Sequence, residues 1–354
     1  MGKPILLSHR RAPGDIICMT ACVRDLALTY PGVYDINVWT SCPSLWKENP
    51  HIKEVWNKPK PGIPRYDLTY GHHINQANQL PLHFLTAFHR NLNEQLKLEV
   101  PVLYPKGDLH LSEWHKQNRP IAERYWYWLA GGKNDFTTKI WSSTRHQQAI
   151  NLLRQFGLRI VQGGANHQGH WHPTMDGVLN MVNKTNLRDM MWLIYHSEGV
   201  VCTITAAMHM AAAFDRPCVV IAGGREHWWW EAYVNVNMEN FGPQASGKVV
   251  VPHRYLHTQG LLDCCRDRGC WRNKVVATQQ DSNKSYCKYP EGDGYGQTIP
   301  KCLKMITVNH VMEAVMWYYT AGILPDPQRP YTATDHYARL STEAMFQVPS
   351  KFTD

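Results

Sequence analysis

Residues 186–224 read NLRDMMWLIYHSEGVVCTITAAMHMAAAFDRPCVVIAGG, and the fold follows from how this stretch alternates. Asn186–His196 carries apolar residues at helical spacing. Gly199-Val200-Val201-Cys202 is a short apolar run, Met208–Phe214 is helical again, and Cys218-Val219-Val220-Ile221-Ala222 is a second run that stops at Gly223-Gly224. Unbroken apolar runs of this length suit strands buried on both faces, and helices between them make the strands parallel. The same grammar holds upstream. Arg124–Ala130 reads as a strand ending in Gly131-Gly132, Arg145–Phe156 as an amphipathic helix closed by Gly157, and Leu158–Gln162 as a strand ending in Gly163-Gly164. In open α/β sheets ligands bind beyond the carboxyl ends of the strands, where glycines let backbone approach a phosphate and helix N-termini offer N–H groups.

The first third of the chain repeats the pattern. Pro4-Ile5-Leu6-Leu7 is a strand, Ser8–Asp15 a loop, and Ile16–Tyr30 a helix stopped by Pro31-Gly32, which puts Asp15 at a helix N-terminus. Tyr34–Trp39 is a second strand, Ser44–Glu48 a short helix, and Glu54-Val55-Trp56 a third strand. A length of 354 residues suits two domains. The expected division is 1–120 and 121–324, both Rossmann-like, meeting near the polar stretch Lys116-Gln117-Asn118-Arg119-Pro120. A Cys-rich insertion spans 256–304, and a Pro-rich tail at 325–354 packs back on the first lobe. With 44% hydrophobic and 19% charged residues, disordered and fibrous classes are excluded. No apolar run reaches the roughly 18–20 residues that cross a bilayer, so a cytoplasmic chain is expected, with peripheral contact at the inner membrane face or action in a phage-infected cell left open. The net charge of +8 favours anionic partners: nucleotide phosphates, nucleic acid or acidic glycolipids.

Several short motifs occur in a fixed order. They are Gly14-Asp15-Ile16-Ile17, Thr20–Leu26, Tyr30-Pro31-Gly32, Asn49-Pro50-His51-Ile52, Lys139-Ile140-Trp141, Gln162-Gly163-Gly164, Asn186-Leu187-Arg188-Asp189, Met208–Ala213 and Arg216–Val220. On these the sequence resembles glycosyltransferase family 9, the ADP-heptose:lipopolysaccharide heptosyltransferase superfamily, from about residue 5 to about residue 235. The resemblance implies a GT-B architecture, an acceptor-side first lobe and a donor-binding second lobe. It makes Asp15 the general base on the acceptor hydroxyl, a role open to a carboxylate on an interlobe loop, although Asp15 at a helix start also reads as a cap. It makes Lys139 the phosphate-contacting lysine, with the hydroxyls of Thr137 and Thr138 beside it. It places His209 in the helix after a donor-lobe strand, where Thr205 and the backbone of Ala206 and Ala207 would receive a phosphate. Family members with heptose donors usually carry Asp-Thr/Ser-Gly before this helix. Here Ile204-Thr205-Ala206 stands instead, which leaves the sugar and the nucleotide open.

Other candidates rest on residue chemistry. The glycines Gly163, Gly164 and Gly224 could admit a phosphate. Arg225 suits phosphate, Glu226 suits hydroxyls, and Trp228-Trp229-Trp230 either line a sugar or nucleoside pocket or plug the gap between lobes. His9, Arg10 and Arg11 are placed to meet an anionic acceptor. The loop Asn166–Pro173, with His167, His170 and His172, reads as exposed and metal-free. Cys264, Cys265, Cys270, Cys287 and Cys302 crowd into a segment without core periodicity, which needs a staple. Structural zinc on four of the five, disulfides and free thiols all remain open, since no Cys-x2-Cys knuckle is present. No catalytic cofactor is expected. The leading expectation is transfer of a sugar from a nucleotide diphosphate to a surface-glycan acceptor with inversion. The alternatives are transfer to hydroxymethylated DNA bases, or a catalytically dead module that binds nucleotide sugar or nucleic acid.

Overall fold

Two parallel sheets occupy separate stretches of the chain, and each reverses its strand order once. The computed structural model describes residues 2–167, 169–234, 251–277 and 285–327. In the first sheet β1 (Lys3–His9), β2 (Tyr34–Thr40), β3 (Glu54–Val55) and β4 (Arg65–Asp67) stand in the order β3-β2-β1-β4. In the second, β5 (Tyr125–Trp128), β6 (Arg159–Gln162), β7 (Leu179–Asn180), β8 (Gly199–Thr203), β9 (Cys218–Gly223) and β10 (Arg254–His257) stand in the order β7-β6-β5-β8-β9-β10. The reversals fall between β1 and β4 and between β5 and β8. In doubly wound sheets a crevice opens at such a point, outside the carboxyl ends of the strands.

The aromatic run of β5 shows why the second sheet is buried on both faces. Side chains alternate across a strand. Tyr125 and Tyr127 join one apolar cluster, with Val200, Cys202, Cys218 and Val220, while Trp126 and Trp128 join another, with Val201, Val219 and Ile221. The first cluster also includes Ile5, Ile16 and Phe88 of the amino-terminal half, so one apolar core crosses from lobe to lobe.

Helix α1 (Pro13–Thr29) starts three residues before the apolar periodicity, because proline at a first helical position presets φ and gives up an N–H that has no partner there anyway. Helix α2 (Phe84–Leu96) packs against α1 and lies in a stretch whose helical signal, Phe84, Leu85, Phe88 and Leu92, is set among His and Asn. Along the second lobe run α3 (Ser143–Gln155), α4 (Leu187–His196), α5 (Ala206–Ala213), the single turn α6 (Trp228–Glu231) and α7 (Val308–Thr320). Asn186 and Asp189 close a capping box at the start of α4. The polar stretch near 116–120 is half helical, over Glu113–Gln117, and is pinned to α4 where the Trp192 indole donates to the carbonyls of His115 and Asn118. At the other end, Arg124 holds the carbonyls of Pro325 and Asp326. Most of the tail expected to pack on the first lobe lies outside the described residues. No helix among them is long and apolar enough to cross a membrane.

Candidate active site

The two crevices face each other. At the first, His9 closes β1 and its Nδ1 donates to the carbonyl of Leu68, just past β4, at 2.7 Å. This bond ties the reversal point shut and turns Nε2 toward Asp15, 3.6 Å from Oδ2. Asp15 sits in the first turn of α1 and accepts the backbone N–H of Ala12 at 3.0 Å, so the carboxylate does cap its helix. Gly14 carries the loop against the second lobe. A Cβ there would stand 3.0 Å from Cδ2 and 3.4 Å from Nε2 of His209, so a side chain would push the lobes apart.

At the second crevice a 3-10 turn after β5, Asn134–Lys139, delivers Lys139, and the segment after β9 delivers Arg225 and Glu226. Lys139 Nζ lies 2.7 Å from Glu226 Oε1, and Arg225 bonds the same oxygen. Two cations therefore share one carboxylate and leave a net positive charge. Burial pushes the Glu226 carboxyl up, but Arg225 and Lys139 outweigh it and hold it below the usual range. Its Oε2 is buried with no hydrogen-bond partner. Beside it α5 begins at Ala206 with Thr205 as its cap residue, whose hydroxyl makes no capping bond and is buried without a partner. Positive charge, a helix N-terminus and orphaned polar atoms form a site for an anion with hydroxyls.

Between the crevices lie His209 and Glu231. Tyr233 Oη is 2.7 Å from His209 Nδ1 and fixes the ring, whose Nε2 lies 3.7 Å from Glu231 Oε2. Burial pushes His209 down to about 4, so it is neutral at physiological pH. Burial also pushes Glu231 up to about 8, against the pull of Lys139 and with the push of Glu226 and Asp15. Neither Glu231 nor Tyr233 stands out in the sequence. The usable signal was an acidic residue embedded in the aromatic run Trp228–Tyr233, where a carboxylate needs a reason to be buried.

The other expected residues fall on both sides of the site. Thr138 is buried and donates to the carbonyls of Arg272 and Asn273, while Thr137 accepts the N–H of Val275, so both hydroxyls fasten the Cys-rich insertion. The same insertion grips Arg225 through the Arg272 carbonyl and Asn273. Gly163 packs under Tyr127, where a Cβ would lie 1.7 Å from the hydroxyl, and Gly164 packs against His172. Gly224 faces Cys265. Arg10 and Arg11 are exposed, lying over the rings of Trp39 and Tyr70. Trp230 is buried against Phe84, and the Trp229 indole donates to the Ala77 carbonyl, so this pair takes the plugging alternative. The His loop departs from the expectation of an exposed loop. His172 is buried, because the loop folds back beside Gly164 and Asn166 bonds its backbone.

All five clustered cysteines line one cavity, about 350 Å³ including its open mouth, behind Gly224 and Arg225. No disulfide joins them in the structure. Among the described residues, the set of three metal-ligand atoms within 4.8 Å of one another is His51, Asp108 and His110, so the thiols ring the cavity without closing on a point.

Residues 73–248 match the model of glycosyltransferase family 9 (heptosyltransferase). This is a family 9 glycosyltransferase fold. Its GT-B-type relatives among solved structures are distant in sequence. A family 9 glycosyltransferase from Veillonella parvula superposes with a TM-score of 0.57 at 12% identity, covering 88% of this chain and 96% of that one. The iron-containing dodecameric glycosyltransferase TibC from enterotoxigenic E. coli gives 0.58 at 18%, covering 89% and 75%. ADP-heptose LPS heptosyltransferase II of E. coli gives 0.52 at 16%, covering 89% and 97%. No curated protein matches the chain by sequence. The family 9 match begins after Asp15, so the acceptor-side residues are placed by geometry alone.

Proposed function

We propose that the protein transfers a sugar from a nucleotide diphosphate to a hydroxyl of an anionic surface-glycan acceptor, with inversion and without a catalytic metal. The observation that carries the reading is the meeting of the two crevices: the Asp15 loop lies against His209 while Lys139, Arg225 and the start of α5 form an anion site across the cleft. Asp15 takes the proton of the acceptor hydroxyl as its oxygen attacks the anomeric carbon. The bond from that carbon to the diphosphate oxygen breaks on the opposite face, and the nucleotide diphosphate leaves with its charge met by Lys139, Arg225 and the α5 N–H groups. Arg10 and Arg11 meet acidic groups of the acceptor at the mouth. Heptosyltransferase relatives favour a saccharide acceptor over modified DNA.

The test supplies UDP-, ADP- and GDP-sugars with deacylated lipopolysaccharide core, and in parallel with hydroxymethylcytosine oligonucleotides. Nucleotide diphosphate release with a one-sugar mass gain on the saccharide is expected. A gain on the oligonucleotide would move the acceptor to DNA, and binding without release to either would leave a binding module.

We also propose that the cysteine cavity takes a structural metal on four of its five thiolates, drawing in the insertion that fastens Arg225 and Thr138. Metal analysis of the purified protein should find about one equivalent of zinc. Metal-free protein with five reactive thiols would refute this.

A further inference from the structure

No motif singles out Glu231, yet the structure buries it beside His209, where the Asp15 loop meets the second lobe. Its Oε2 lies 3.7 Å from Nε2 of His209, a ring fixed from its other side by Tyr233 at 2.7 Å. The same edge of His209 meets the Asp15 loop, where a Cβ on Gly14 would stand 3.4 Å from Nε2. Glu231 also senses the charges of both Lys139 and Asp15.

In a glycosyl transfer the sugar lies between the leaving diphosphate and the attacking oxygen. The cations for the first are Lys139 and Arg225, and the base for the second is Asp15. A carboxyl between these groups therefore stands beside the sugar ring. Of the other groups here, Glu226 is bonded through Oε1 to Lys139 and Arg225 on the diphosphate side and keeps only Oε2 for a ligand, and the stretch after β8 offers the Thr205 hydroxyl but no carboxylate. Carboxyl groups pair well with sugar hydroxyls because they offer acceptors in any state and a donor when protonated. Carrying its proton at neutrality, Glu231 also spares the diphosphate a nearby negative charge.

We propose that Glu231 reads the transferred sugar: its carboxyl, packed beside His209, hydrogen-bonds a ring hydroxyl of the donor's glycosyl group. Tyr233 is a positioning residue that acts through His209. The proposal rests on the glycosyl-transfer reading and deepens it by assigning sugar selection to this side chain.

The experiment compares the full-length protein with Glu231→Ala, Glu231→Gln and Tyr233→Phe. Calorimetry measures affinity for UDP-glucose, ADP-glucose and GDP-mannose and for UDP, ADP and GDP, and kinetics follow with whichever donor turns over. Glu231→Ala should lose about 10- to 100-fold in nucleotide-sugar affinity and kcat/KM, while nucleotide diphosphate affinity stays within about twofold. It should also lose the wild-type preference for the full sugar over a deoxy analogue at one position. Glu231→Gln, nearly isosteric, gives the same comparison should the alanine variant fail to fold. Tyr233→Phe should lower sugar affinity by a smaller factor, again sparing the diphosphate. Unchanged sugar affinity in both Glu231 variants, or equal loss for sugar and diphosphate, overturns the proposal. Sugar binding that depends on Glu231 without transfer to any acceptor would instead sink the transferase reading and leave this one standing.

Discussion

Replacing Asp15 by Asn separates the two jobs this carboxylate holds. As a cap, Asp15 accepts the Ala12 N–H at 3.0 Å, and an amide oxygen in the same place can still accept it. What the helix start loses is a charge, worth under about 1 kcal/mol. In a chain of 354 residues that lowers Tm by only about 1–2 °C. As a base, the carboxylate is not replaced by the asparagine side chain, since an amide cannot take a proton from an attacking hydroxyl. General-base catalysis contributes about 10²- to 10⁴-fold, equivalent to about 3–5 kcal/mol of barrier at 1.36 kcal/mol per decade. The rate effect therefore exceeds the stability effect several times over. The assay is nucleotide diphosphate release at saturating donor and acceptor, beside a melting curve of the same preparation. Turnover within tenfold of wild type would refute the base assignment. A melting point lowered by more than about 10 °C, with activity following the folded fraction, would show that the cap is the whole role.

Lys139→Ala removes the cation 2.7 Å from Glu226 and should cut kcat/KM by about 10²- to 10³-fold, with weaker competition by nucleotide diphosphate; unchanged competition would place the phosphate elsewhere. Gly163→Ala would set a methyl 1.7 Å from the hydroxyl of the buried Tyr127 and should cost about 1–3 kcal/mol, read as a lower denaturation midpoint; a neutral result would show that β5 and β6 can part freely. Acid should destabilise the fold through its buried histidines. Burial lowers His209 to about 4 and His146 and His253 to about 3, below the ordinary value of 6.5 that holds in the unfolded chain. Their contribution is present above pH 6.5 and is lost as pH falls toward 4. At pH 5.5 the loss is about 1.4 kcal/mol each and about 4 kcal/mol for the three. Glu231, raised to about 8, and His89, raised to about 10, gain stability over the same range and offset part of this loss, so the check is made on one ring. Urea unfolding of the wild type and of His146→Gln at pH 7.5 and 5.5 should show the variant losing about 1.4 kcal/mol less than the wild type, and an equal loss would contradict the burial of that ring.

The parts of the site that could be read in the sequence are those whose position follows from local rules. Asp15 follows a strand and opens a helix, so it falls on the cleft rim whatever the distant packing does, and the start of α5 follows β8 in the same way. Lys139 is reached by the first turn after β5, at the reversal point of the sheet. Facing direction is a different matter. Thr138 and Gly224 lie within a residue of the anion site and have suitable chemistry, yet they turn toward the insertion, because a segment more than a hundred residues after Thr138 in the chain packs there. Helix α2 shows the converse, since Phe84, Leu85, Phe88 and Leu92 carry a readable period that the surrounding His and Asn obscure. Glu231 is the hardest case. In a single helical turn one residue's rotation decides whether an aromatic or a carboxylate points into the cleft, and that rotation is set by Trp230 seating against Phe84 of the other lobe. The residue proposed to read the sugar is thus aimed by an interlobe contact, so Phe84→Ala should disturb sugar affinity through Glu231 while sparing the Lys139–Glu226 pair and nucleotide diphosphate binding.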